Sequence, residues 1–122
     1  MSVILKRMSK TLAGKPIAEN ISFSFECGQT YVLYGSTGVG KTSLLNMIAG
    51  YITPDTGSVN VVEKVGYLFQ DDVLFSGITA LDNVLIAGQA CPYDGNDLSA
   101  WAIGVLDKVG LKEKKNVPVE FL

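Results

Sequence analysis

The sequence has 122 residues, 48% of them hydrophobic, and its 10 basic and 12 acidic side chains leave a formal charge of −2. That is apolar content for the core of one ordinary domain, and the near balance of charge speaks against a surface built to coat nucleic acid or to lie on an anionic membrane. No apolar run approaches a bilayer span or a signal-peptide core, and two cysteines without a histidine exclude a disulfide framework and a zinc site, so Cys27 and Cys91 read as reduced thiols of a cytosolic protein.

Residues 2–8 read as a strand with Val3 and Leu5 on one face, and Gly14, Lys15 and Pro16 then mark a turn-rich segment. Ile21, Phe23 and Phe25 alternate with Ser22, Ser24 and Glu26, the period of a strand with one buried side. Cys27-Gly28-Gln29 turns the chain into Tyr31-Val32-Leu33-Tyr34, an apolar run that predicts a buried strand.

Next comes Gly35-Ser36-Thr37-Gly38-Val39-Gly40-Lys41-Thr42-Ser43, a match to G-x-x-x-x-G-K-[ST], the phosphate-binding loop. Strand, glycine loop and helix start follow one another, which is the context the motif requires. Gly35, Gly38 and Gly40 allow backbone conformations closed to other residues, so that successive N–H groups can turn inward as an anion nest at the positive end of a helix. Lys41 is expected to reach the β- and γ-phosphates as a point charge, and the Thr42 hydroxyl to ligate Mg²⁺.

Leu44, Leu45 and Ile48 make the expected core stripe of the following helix, with Gly50 at its left-handed cap. Residues 53–57 form a turn, 59–62 a short strand, and 65–69 a second strand that delivers Gln70, Asp71 and Asp72 at its end. After Gly77, Thr79-x-x-Asp82 has the form of a capping box, Leu81, Val84 and Leu85 have helical spacing, and Gly88 is placed to end that helix. A polar loop runs to Asn96. Asp97 then caps a helix in which Leu98, Trp101, Ala102, Val105, Leu106 and Val109 share a face, with Trp101 read as core and Gly110 closing it. The expected organisation is an α/β core over residues 1–76 and a small helical subdomain over 77–122.

Taken together, these stretches resemble the ATP-binding cassette (ABC) ATPases, the nucleotide-hydrolysing subunits of ABC transporters. The likeness is carried by the phosphate loop, by Ile21-Ser22-Phe23-Ser24-Phe25-Glu26-Cys27-Gly28-Gln29, by Leu44-Leu45-Asn46-Met47-Ile48-Ala49-Gly50 leading to Pro54-x-x-Gly57, by Val65-Gly66-Tyr67-Leu68-Phe69-Gln70 and by Thr79-Ala80-Leu81-Asp82-Asn83-Val84. It implies a P-loop NTPase core that binds ATP and Mg²⁺, with Gln70 of the Q-loop joining Thr42 at the metal. It also implies a second nucleotide-binding subunit, transmembrane permease subunits, and a place on the cytoplasmic, inner face of the membrane, with no role for nucleic acid.

The likeness extends to the first half of such a domain. No Leu-Ser-Gly-Gly-Gln signature, no apolar strand ending in Asp-Glu and no histidine occurs in these 122 residues, so the sequence reads as a truncated domain that binds nucleotide without turning it over. The position where the family stacks adenine on an aromatic ring is Leu12, which leaves the choice between ATP and GTP open. In the family, strands beyond this sequence flank the run at 31–34, so an uncovered apolar edge and self-association through it are expected. The other reading of the same residues is a non-catalytic nucleotide-binding or assembly protein of the same descent.

Overall fold

Val3–Leu12 (β1) and Lys15–Phe25 (β2) form a long antiparallel hairpin, joined by a tight turn at Ala13 and Gly14 whose φ angles are 48° and 76°. These strands belong to a computed structural model that describes residues 3–90, 95 and 97–122. The hairpin is longer than its sequence signals suggest, because Lys15 and Pro16 continue a ladder instead of a loop. Pro16 is tolerated there because β2 is an edge strand, in the order β2-β1-β3 with Thr56–Val61 as β3. Pairing is antiparallel on both sides of β1.

Within β1 the register shifts between Leu5 and Met8, and Arg7 adopts a positive φ of 44°, the mark of a bulge. Its amide donates to Ser22 Oγ at 2.9 Å, so the extra residue is not left without a partner. The bulge lets both Leu5 and Met8 turn to the same interior, where they are fully buried with Ala18 and Met47. Burying two such side chains contributes roughly 1.5–3 kcal/mol each.

The first helix, α1, is Lys41–Ile48, and its stripe differs by one residue from the expected one. Met47 is buried beside the half-buried Leu44 and Ile48, while Leu45 stays exposed. It ends in a Schellman motif: Gly50, at φ 82°, donates to Met47 O at 3.2 Å, and Tyr51 donates to Asn46 O at 2.9 Å. Asp55 then fastens the turn to β1, accepting from Lys10 Nζ and from the Thr11 amide at 2.8 Å each while its own amide donates to Ser9 O. The Lys10 ammonium and the Thr11 amide hold its carboxyl below the usual range.

Two expected strands are not strands. Residues 31–34 lie outside any ladder among the described residues, and Val32 and Tyr34 are 85% and 91% exposed. Residues 65–69 likewise lie outside any ladder, with Leu68 96% exposed. Both runs have strand composition, but a strand exists only when a neighbour supplies its hydrogen bonds, and the described sheet has three members that do not include them. Side chains anchor these runs instead. Tyr31 packs edge-on against Phe25 at 5.0 Å and accepts from the Glu26 amide, and Tyr67 donates to Asn46 Oδ1 at 2.7 Å while meeting Tyr51 edge-on.

The chain resolves into two compact units, Met1–Leu68 and Phe69–Leu122. The second is helical, with Ala80–Ala90 (α2) and Leu98–Lys108 (α3). The capping box forms as expected: the Asp82 amide donates to Thr79 Oγ1 at 3.1 Å and Thr79 Oγ1 donates to Asp82 Oδ2 at 2.7 Å. Asp97 caps α3 by accepting from the Ala100 amide at 3.0 Å, and Gly110 closes it with the Leu111 amide donating back to Leu106 O. Gly88 does not end α2. It is a buried close-approach point, where a Cβ would lie 2.7 Å from the Trp101 ring and 2.8 Å from Leu98 Cδ1. Trp101 therefore packs over α2 from one side while its remaining surface stays exposed.

Cys27 is a free, exposed thiol; the expectations for Cys91 and Asn96 lie outside the described residues. No described helix is long and apolar enough to cross a membrane.

Candidate functional site

Local chemistry brings residues 35–43 together on one loop and helix start. Gly38 and Gly40 take φ values of 79° and 106°, the left-handed region that the motif's glycines permit. Gly40 has a second reason to lack a side chain, since a Cβ would sit 2.8 Å from the Ile17 carbonyl oxygen of β2. Gly40 is also the N-cap of α1, and with no side chain to cap the helix it leaves the amides of the first turn facing outward. The first helical bond runs from the Leu44 amide to Gly40 O at 2.9 Å, so the amides of Lys41, Thr42 and Ser43 precede the ladder and sit at the positive end of the helix dipole.

Lys41 folds back over this loop, its Nζ donating to Gly35 O at 2.7 Å and to Ser36 O at 2.6 Å. A cation thus lies against carbonyl dipoles at the place where the first-turn amides emerge. Val39 closes the loop with a 3.3 Å bond from its amide to Ser36 O, which is long for N–H···O and therefore weak. Ser36, Thr37 and Thr42 are exposed, and Ser43 is half-buried on the first turn.

Gln70, the other expected metal ligand, is an exposed residue of the second unit on a bend outside helix and strand. Thr42 belongs to the first unit. Leu12 ends β1, paired with Lys15 and partly exposed. Lys15, which the sequence offered only as part of a turn, donates its Nζ to Gly38 O at 3.1 Å and so touches the loop from β2. No spacing rule links it to the motif, because the contact depends on the length of the hairpin.

Chemically, the loop can hold an anion with several oxygens. Amides of one helix turn, two left-handed glycines and an ammonium converge within nine consecutive residues, and each favours negative charge.

The family model for ABC transporters matches residues 18–121. The chain is 35% identical over 107 residues to the taurine import ATP-binding protein TauB of Pseudomonas aeruginosa, an alignment that covers 81% of this chain and 41% of that protein. It is 28% identical to the linearmycin resistance ATP-binding protein LnrL of Bacillus subtilis, covering 94% of this chain and 41% of that one. The chain thus spans about two fifths of the length of these curated relatives, at 41% in each case. Among solved structures, a dimeric ATP-binding cassette, MJ0796, bound to ADP and Pi superposes with a TM-score of 0.81 at 22% identity, covering 98% of this chain and 62% of that one. The cbiO1 structure from Clostridium perfringens superposes with a TM-score of 0.75 at 17% identity, covering 98% of this chain and 55% of that one. Both likenesses establish the P-loop NTPase fold for the described α/β arrangement.

Proposed function

Starting from the fact that the chain belongs to the ABC transporter ATP-binding family, we propose that residues 35–43 bind the triphosphate of ATP. The observation that carries the reading is the seat of Lys41: its ammonium lies on the loop carbonyls beside the free amides of the α1 first turn. Phosphate oxygens would replace those carbonyls as its partners. Gly35, Gly38 and Gly40 supply the backbone shape, Ser36, Thr37, Val39 and Ser43 contribute amides, and Lys41 contributes charge.

Mg²⁺ fits the residues present. Among the described residues no group of three or more His, Cys, Asp or Glu side chains is gathered for a metal, but an ion carried in by phosphates needs only one or two hard oxygen ligands and water. The exposed Thr42 hydroxyl on the first turn is one such ligand, and the Gln70 amide oxygen is proposed as the second. Residues 1–76 are proposed as the nucleotide-binding part of the chain and 77–122 as a helical subdomain.

The whole protein is proposed to couple ATP hydrolysis to transport, working on the inner face of the membrane with permease subunits and a second ATP-binding subunit. Support comes from relatives named as import or resistance ATP-binding proteins and from a structural neighbour described as part of the transporter complex cbiONQ. These 122 residues hold no Leu-Ser-Gly-Gly-Gln segment and no strand ending in Asp-Glu, so this chain alone is expected to bind Mg-ATP without releasing phosphate. Titration calorimetry beside a phosphate-release assay tests it. Absence of binding by folded chain overturns the reading, and release that depends on Lys41 overturns the claim that turnover is lost.

The exposed run at 31–34 borders an apolar groove of about 390 Å³ lined by Leu5, Phe23, Val32, Leu33, Leu45 and Ile48 among others. We propose that two copies associate through it, because covering several hundred Å² of such surface contributes several kcal/mol at about 25 cal/mol per Å². Light scattering should give more than the monomer mass, and Val32→Lys should restore the monomer. A monodisperse monomer for the unsubstituted chain would refute the proposal.

A further inference from the structure

Two ammonium groups, not one, hold carbonyls of the candidate loop. Lys41 holds Gly35 and Ser36 from within, and Lys15 holds Gly38 from β2, 23 residues earlier in the chain. A trans peptide is planar, with its carbonyl and amide pointing opposite ways. Anchoring Gly38 O towards β2 therefore orients the Val39 N–H away from β2 and across the loop, where it meets Ser36 O at 3.3 Å. That bond is long enough to be given up readily to a stronger acceptor.

The anchoring matters because Gly38, at φ 79°, is a glycine flanked by open space: nothing lies within 4 Å of where its Cβ would be. Gly38 has no side chain of its own to restrain it and no neighbour around its α-carbon, and glycine crosses freely between left- and right-handed conformations. An inverted peptide would point a carbonyl, not an amide, at an incoming anion. We infer that Lys15 is a positioning residue, which holds the peptide between Gly38 and Val39 with its amide turned into the loop and so prepares the nest for a polyphosphate. The inference rests on the proposed ATP binding and adds a residue outside the motif to it.

Its position explains why a lysine on an edge strand can do this. Lys15 begins β2, paired with Leu12 across the hairpin turn, so the rigid ladder sets where its stem starts, while the flexible stem reaches the loop. Lys15 is exposed, and its removal leaves no buried group without a partner. Its removal is thus expected to show in loop chemistry and not in stability.

The test compares Lys15→Met and Lys15→Arg with the unsubstituted 122-residue chain, using inorganic pyrophosphate and Mg-ATP as ligands in calorimetry and the Val39 amide resonance as the local readout. Lys15→Met is expected to weaken both ligands by the same factor, about three- to tenfold for one exposed charge-assisted bond. It should shift the Val39 resonance in the ligand-free chain and leave the melting temperature unchanged, and Lys15→Arg should restore both affinities and the resonance towards the original values. An unmoved Val39 resonance, or a loss confined to ATP with pyrophosphate untouched, overturns the inference. If the unsubstituted chain takes up neither ligand, the reading of ATP binding fails by itself, and the resonance still decides whether Lys15 sets the peptide.

Discussion

Lys41→Ala is expected to abolish measurable Mg-ATP binding while leaving the chain folded. In the structure the ammonium is shared between two exposed carbonyls, of Gly35 and Ser36, and such exposed contacts contribute only about 0–1 kcal/mol to stability. Against a triphosphate the same group meets full negative charge, where hydrogen bonds to charged partners contribute about 1.5–3 kcal/mol each. Losing two of them amounts to a fall in affinity of about a hundredfold or more. Calorimetry and a thermal melt measured on the same material separate the two effects. Affinity within threefold of the unsubstituted chain would mean that the loop's amides alone do the work and that the role given to Lys41 is wrong. Lys41→Arg should recover part of the binding at most, because a planar fork cannot enter the space of a point charge without shifting the loop.

Gly57→Ala should produce the largest loss of stability of any single methyl addition to the first unit. Gly57 is the second residue of β3, beside the bulge of β1 at φ 78°, and a Cβ there would lie 2.3 Å from the carbonyl oxygens of both Lys6 and Arg7. Real Cβ atoms do not approach so closely, and backbone carbonyls inside a ladder cannot swing aside as a side chain can. β3 must therefore part from β1 at the point where β1 turns Leu5 and Met8 into the core. Left-handed strain adds about 1–2 kcal/mol to that separation, so a total of about 3 kcal/mol or more is expected, a large share of the stability of a small domain. Gly14→Ala is the internal control, having nearly the same φ of 76° with nothing within 4 Å of the added carbon. Urea midpoints of the two variants should differ by more than strain alone explains. Equal midpoints would show that the bulge yields without cost and that the close approach is not a constraint.

Both predictions turn on glycine or lysine positions that read very differently from the sequence. Lys41 is visible in the motif itself, because its partners lie five and six residues away. Gly57 is visible only as a turn glycine after Pro54; that it faces a bulge in β1 depends on a pairing across some fifty residues, and no local signal carries it. Gly88 repeats the lesson in the second unit. Its place near the end of an apolar stripe suggested a cap, yet α2 runs through it because Trp101 and Leu98 of α3 need the space a side chain would take.

The sequence by itself determined the glycine-rich turn into a helix at 35–43, the capping box at Thr79 and Asp82, the Asp97 cap and the glycine stops at Gly50 and Gly110. Each of these is settled by atoms a few residues apart, where a glycine's φ range or a short side chain reaching an adjacent amide decides the outcome. Only the tertiary structure decided that residues 31–34 and 65–69 are not ladder strands, that the hairpin runs through Pro16, and that Lys15 reaches Gly38. The physical reason is that a strand's hydrogen bonds and a long lysine's partner are supplied by distant parts of the chain, so local composition sets what a segment could form and the available neighbours set what it does form.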